Sequence, residues 1–200
     1  MKKMMMVCCT ALMLMAFAGC QSNEVAKTGV SGKQSSEASE MNASGNQTDE
    51  TAKTNTSGNQ RVGSEKTGYV DVPEDFLTFV NDVDLGEGVI QYSDVAGKNI
   101  VTLQYFDASA IDAEAAASSM YMQFANDTLV DQESLTAAMV TIDDCEAYQV
   151  YCYYPSDGVY VVTWSFDSPE DDYTHYVAVE FTEDKFDLFQ LVESTYSVAK

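Results

Sequence analysis

Cys145-Glu146-Ala147-Tyr148-Gln149-Val150-Tyr151-Cys152-Tyr153-Tyr154, then Pro155-Ser156-Asp157-Gly158, then Val159-Tyr160-Val161-Val162-Thr163-Trp164-Ser165-Phe166, is the stretch on which the fold turns. Its two flanks are crowded with β-branched and aromatic residues, which suit a pleated, half-buried surface. The four residues between them combine Pro, Asp and Gly, the chemistry of a tight turn. The pattern predicts two antiparallel strands joined as a hairpin. Successive side chains alternate across a strand, so Tyr160, Val162, Trp164 and Phe166 share one face and Val159 and Val161 the other. Both faces are apolar, and a sheet of this kind is expected to be covered on both.

Working outward, residues 138–142 turn through Asp143-Asp144 into this hairpin. Residues 173–181 follow it after an acidic loop at 167–172, completing a four-strand meander. Upstream, residues 112–126 read as a helix. Asp112 offers an N-cap, Glu114 suits the positive end of the dipole, and Ala113, Ala116, Ala117, Met120, Tyr121 and Phe124 recur at helical spacing. Residues 89–93 and 99–106 read as strands around an Ala96-Gly97-Lys98 turn, and residues 68–72 as a short strand stopped by Pro73. Residues 184–198 read as a closing helix with Phe189, Val192 and Tyr196 on one side. The class is α+β: an antiparallel sheet of about six to seven strands flanked by helices on both faces.

The N-terminus has a different character. Met1-Lys2-Lys3 precedes an apolar run from Met4 to Ala18 that only Thr10 interrupts. The run is shorter than the ~20 residues a membrane-spanning helix needs, and it has the layout of an export signal. Its end, Phe17-Ala18-Gly19-Cys20, resembles the bacterial lipobox, with Phe17 where Leu is usual. That resemblance implies a lipoprotein signal peptide over residues 1–19 and lipid on Cys20. It also implies anchorage on the extracytoplasmic face of a bacterial membrane, at the cell surface or on the periplasmic side. Several acyl chains hold a protein stably where one does not.

Residues 21–67 contain no Phe, Tyr, Trp, Leu or Ile. Such a segment buries too little apolar surface to offset the entropy of ordering, so residues 20–67 read as a lipidated Cys followed by a disordered, low-complexity tether. A flexible chain of this length has an end-to-end distance of roughly 35–40 Å. Composition changes at Gly68, and residues 68–200 are expected to form one acidic α/β globular domain. This part carries Lys98, Lys185 and Lys200 and no Arg, against 26 acidic residues, within a chain of 200 residues and net charge −22. That balance argues against nucleic acid, whose phosphates need clustered Lys and Arg, and against electrostatic binding to anionic lipid.

Little in the chain marks catalysis. His175 is the one histidine. It can be read as a base or metal ligand, but no nucleophile-elbow motif accompanies it, and a sheet histidine that faces solvent or bonds a neighbour is favoured. Cys145 and Cys152 stand seven residues apart on one strand. If that strand is straight, ~23 Å separates them, against the roughly 7 Å limit for a disulfide, and both are expected free. Two acidic groups are the metal candidates, Asp82, Asp84 and Glu87, and Asp167, Glu170, Asp171 and Asp172, since loop carboxylates can hold calcium. Neither has EF-hand spacing, and solvated surface is the favoured reading. Of the many aromatics in the meander most are expected in the core, with Tyr151, Tyr153 and Tyr154 exposed and able to touch a partner.

Tyr69-Val70-Asp71-Val72-Pro73-Glu74-Asp75-Phe76 resembles the opening strand of the PsbP and Mog1-like fold, in which a strand leads into Pro and then an aromatic. Ala147-Tyr148 in a strand, the aromatic-rich strand after it and the closing helix are similar too. The resemblance spans residues 68 to 200 and implies an α/β/α sandwich serving as a binding or assembly module without catalysis. It carries over no site residues. The expectation is therefore a membrane-anchored lipoprotein whose domain, monomeric and without cofactor, binds a protein or other envelope component. The alternative is a solute- or cation-binding lipoprotein, with calcium the cation. An envelope hydrolase has least support.

Overall fold

Ten strands and two α-helices succeed one another along residues 54–55, 58–78 and 88–199, the parts of the chain that the structure, a computed structural model, describes. The strands are β1 (Thr54–Asn55), β2 (Asn59–Ser64), β3 (Gly68–Pro73), β4 (Leu77–Thr78), β5 (Val89–Ser93) and β6 (Ile100–Asp107). Helix α1 (Ala113–Asn126) follows, then β7 (Thr136–Ile142), β8 (Cys145–Tyr154), β9 (Val159–Asp167) and β10 (Tyr173–Thr182). A single 3-10 turn, Glu183–Lys185, leads into α2 (Phe186–Thr195).

The class is α+β. Seven strands form one antiparallel sheet in the order β4-β5-β6-β10-β9-β8-β7, and β1-β2-β3 form a second, small one. The meander β7-β8-β9-β10 forms as its sequence predicts. Its first turn places Asp143 and Asp144 at φ +48° and +61°, the pair of left-handed residues that a two-residue hairpin loop requires. Asp tolerates that region better than most residues because its short side chain bonds locally. Gly158 closes the next turn at φ +67°. Helix α1 is capped as expected: the Asp112 side chain accepts from the Ala115 N–H at 2.8 Å.

Strand alternation sorts the interior into two clusters. Val162, Trp164 and Phe166 of β9 gather with Val177, Val179 and Phe181 of β10 and with Leu188, Val192 and Tyr196 from the C-terminal end. Val159 and Val161 of β9 gather instead with Val150, Cys152 and Tyr154 of β8 and with Ala117, Met120 and Phe124 of α1. Full burial of one large apolar side chain contributes about 1.5–3 kcal/mol, so the fully buried Trp164, Phe166, Phe181, Leu103 and Met120 matter most to stability.

Three sequence expectations need correction. First, the segment 20–67 is not tether throughout: β2, Asn59–Ser64, lies inside it and pairs with β3 from Asn59–Pro73 to Ser64–Gly68. Polar residues build this strand because hydrogen bonds, not apolar burial, hold it. The Gln60 side-chain amide donates to the Phe76 carbonyl at 2.6 Å, and Arg61 meets Asp71 at 3.2 Å and bonds the Thr195 carbonyl and the Ser197 hydroxyl. Second, β3 belongs to the small sheet and not to the main one. Third, the closing helix ends at Thr195, short of Val198. Ser197 leaves it to pair with Tyr69, exchanging N–H···O bonds of 2.7 and 2.9 Å. Residues 1–19, Cys20 and most of the tether lie outside the described residues.

Candidate functional site

His175 sits on β10 with no exposed surface. Its Nε2 lies 3.1 and 3.2 Å from the two Asp171 oxygens, and its Nδ1 lies 3.1 Å from the Tyr196 hydroxyl, which donates to the Thr67 carbonyl at 2.9 Å. The ring stacks on Phe166 at 5.3 Å. Burial, and then the charges of Asp143, Asp171 and Cys145, push the Tyr196 phenol far above its ordinary value, against a smaller pull from Arg61. Asp171, His175, Tyr196 and Thr67 thus form a buried tie between the central strand, the C-terminus and the turn before β3.

The acidic candidates do not converge. Asp82, Asp84 and Glu87 lie outside the described residues. Asp167 accepts from the Thr174 hydroxyl at 2.5 Å and from the Ala113 N–H at 3.4 Å. Asp171 accepts from the Tyr173 N–H at 3.0 Å as well as facing His175. Glu170 and Asp172 point to solvent. Among the described residues, no three His, Cys, Asp or Glu side chains are grouped so as to hold a metal ion.

Cys145 and Cys152 are free thiols on opposite faces of β8. Burial, with help from Asp127 and Glu180, pushes the Cys152 thiol up to about 12. The three tyrosines proposed as contacts divide the same way. Tyr151 and Tyr153 stack on Tyr160, at 6.0 and 4.5 Å, and Tyr151 lines a cleft of about 290 Å³ with Tyr160, Phe181, Glu183 and Phe186. Tyr151 and Tyr153 are half-buried and Tyr154 is buried, which corrects the expectation that the three are exposed. The odd spacing of Tyr154 from Tyr151 turns it to the other face, where it is buried and its hydroxyl bonds Asp127 at 3.2 Å.

A further exposed apolar surface lies where the sheet runs out beside α1. Strand β7 is its last strand, and residues 136–139 and 141 are exposed. A cleft of about 480 Å³ opens between α1 and the β7-β8 hairpin, walled by Ala117, Tyr121, Met122, Met139, Tyr148 and Val150. Met122 and Met139 are 59% and 53% exposed, and Tyr121, expected on the apolar stripe of the helix, is 38% exposed. A second cleft of about 390 Å³ continues past Met139 and Tyr148 to Asp144, Glu146 and Asp167. Glu114 lines the first cleft and Asp144, Glu146 and Asp167 the second; burial, and then the charges of Glu114, Asp112, Glu146 and Asp167, raise the Tyr148 phenol above its ordinary value. Contiguous exposed apolar surface rimmed by polar groups is what interaction sites have in common. Sequence reading missed this groove. The uncharged run Ala138-Met139-Val140 reads only as strand, and nothing in it marks a groove.

No protein-family model matches the chain, and no curated protein matches it. Among solved structures, the chain is similar to a crystal structure of a protein from Bacteroides thetaiotaomicron VPI-5482, at 13% identity and a TM-score of 0.38. The match covers 67% of this chain and 46% of that one, so the chain spans less than half the length of its structural neighbour.

Proposed function

We propose that this chain is a lipid-anchored extracytoplasmic protein, held at Cys20 on a bacterial membrane, whose acidic domain is a non-catalytic module that binds a protein partner in the cell envelope. The observation that carries the binding reading is the apolar groove between α1 and β7. It exposes two methionines and a tyrosine beside an open sheet edge, on a domain whose charge otherwise keeps it soluble. Extended hydrophobic grooves beside sheet edges are a recurring mode of peptide recognition. We read the architecture as an α/β/α sandwich of the PsbP and Mog1-like kind, because β9 sends alternate residues to the α1 cluster and to the α2 cluster. In that arrangement α1 covers β8 and β9, and the edge strand β7 stays free beside it.

Crosslinking in intact cells tests the reading, with the full lipoprotein compared against a version lacking residues 68–200. A protein captured only when the domain is present is the expected result. Capture of nothing beyond the control, together with thermal stabilisation by calcium or a small solute, would move the assignment to the solute- or cation-binding alternative, since a ligand of the folded state raises its stability.

A further inference from the structure

We propose that the groove between α1 and β7 takes an extended, positively charged segment of a partner protein, added to β7 as an eighth strand of the sheet. This rests on the protein-binding reading and names the chemistry of its partner.

The backbone supplies the first argument. The two-residue turn at Asp143-Asp144 makes Ile142 and Cys145 a hydrogen-bonded pair, so alternation turns the N–H and C=O groups of Ala137, Met139 and Thr141 away from β8. Proteins normally blunt such an edge with short length, charge, Pro or a bulge. The opposite edge obeys this rule: β4 is two residues long. Strand β7 does not. It has seven residues, Thr-Ala-Ala-Met-Val-Thr-Ile, none charged and none Pro, and its register with β8 is one-to-one without a bulge. An edge left this open is suited to accept a strand.

Side chains supply the second. A strand laid along β7 would direct alternate residues over Met139 toward Met122 and Tyr121. Methionine is flexible and polarisable and fits varied apolar partners. Charge supplies the third. Glu114, Asp144, Glu146 and Asp167 rim the two clefts, and among the described residues no Lys or Arg lines either. The basic residues of the described chain are Arg61, Lys66, Lys98 and Lys185, none of them in the groove. A second copy of this domain would set carboxylates against carboxylates, which disfavours it, whereas a cationic strand meets complementary charge.

The test uses the full chain and two fluorescent eight-residue probes, one alternating Lys with Val, the other Glu with Val. The Lys-Val probe is expected to bind at least about tenfold more tightly, with affinity falling as salt is raised from 50 to 500 mM. Met139→Pro removes an outward N–H without touching the ladder to β8, and should weaken binding about tenfold or more while the melting temperature holds. Glu114→Lys with Glu146→Lys, both exposed, should reverse the preference between probes. Equal binding of the two probes, no binding of either, or a Met139→Pro variant that folds and binds unchanged overturns the proposal. Should Met139→Pro not fold, the charge-reversed variant decides alone. Self-association of the chain through β7, seen as a concentration-dependent dimer that Met139→Pro abolishes, would also overturn it. A partner crosslinked in cells at a surface other than this groove would refute the inference and leave the protein-binding reading standing.

Discussion

Tyr196→Phe isolates the buried tie around His175. The substitution keeps the ring, its edge-on contact with Phe166 at 5.4 Å, and the packing against β3, and removes one oxygen. That oxygen bridges the Thr67 carbonyl at 2.9 Å and His175 Nδ1 at 3.1 Å, and both residues are essentially without solvent contact. Two buried polar groups therefore lose a partner that water cannot replace. Each such loss costs about 1–2 kcal/mol, so the variant should lose about 2–4 kcal/mol of stability. For a domain of this size that lowers the melting temperature by on the order of 7–14 °C. Urea unfolding measures it as a lower midpoint with the slope unchanged. The control is Tyr153→Phe, a half-buried tyrosine whose ring stacks on Tyr160, where the change should stay within about 0.5 kcal/mol. A Tyr196→Phe variant indistinguishable from this control would refute the argument that the tie holds the C-terminus, the turn before β3 and the central strand together.

Other predictions follow from the same geometry. Gly68→Ala should be severely destabilising, by about 2–4 kcal/mol, because φ is +74° and a Cβ there would meet the Tyr196 hydroxyl at 2.2 Å; Gly97→Ala, at φ +65° with open space around it, should cost only about 1 kcal/mol. Replacing Asp143-Asp144 by Asn-Gly should raise the melting temperature by a few degrees, since both positions need left-handed φ. Stability should fall as pH rises from about 9 toward about 12, because the folded state holds the Cys152 proton where the unfolded chain, with an ordinary value of 9.0, releases it; Cys152→Ala should flatten that slope. Native Cys152 should resist alkylation at pH 8 and react once the chain is unfolded. Cys20→Ser should abolish labelling by radioactive palmitate and release the protein from the membrane fraction, whereas retention of label would contradict lipid attachment there.

Legibility followed the physics of each segment. The meander was readable because Pro155-Ser156-Asp157-Gly158 and Asp143-Asp144 separate runs of alternating β-branched and aromatic residues, and helix α1 because Asp112 marks its start. Strand β2 was not, because its register depends on Arg61 and Gln60 reaching residues as distant as Thr195 and Phe76. Composition cannot report bonds of that range. Tyr154 was misplaced for a simpler reason: adjacent tyrosines on a strand face opposite ways, and the expectation treated Tyr151, Tyr153 and Tyr154 as a group. The groove depends on α1 lying over β8 and β9 while stopping short of β7, a packing outcome with no sequence signature of its own. Met139 and Met122 are ordinary strand and helix residues until the fold leaves them uncovered.

The proposed role of this domain is to bind a protein at the α1-β7 groove. The test places a photo-crosslinking amino acid at Met139, and separately at Val95 on the remote β5-β6 turn, in the full chain in intact cells. Val95 is 84% exposed, so both positions can reach a partner in solution. One discrete adduct is expected from position 139, lost when Glu114 and Glu146 are changed to Lys, and no matching adduct from position 95. The same adduct from both positions, or none from position 139, would contradict it.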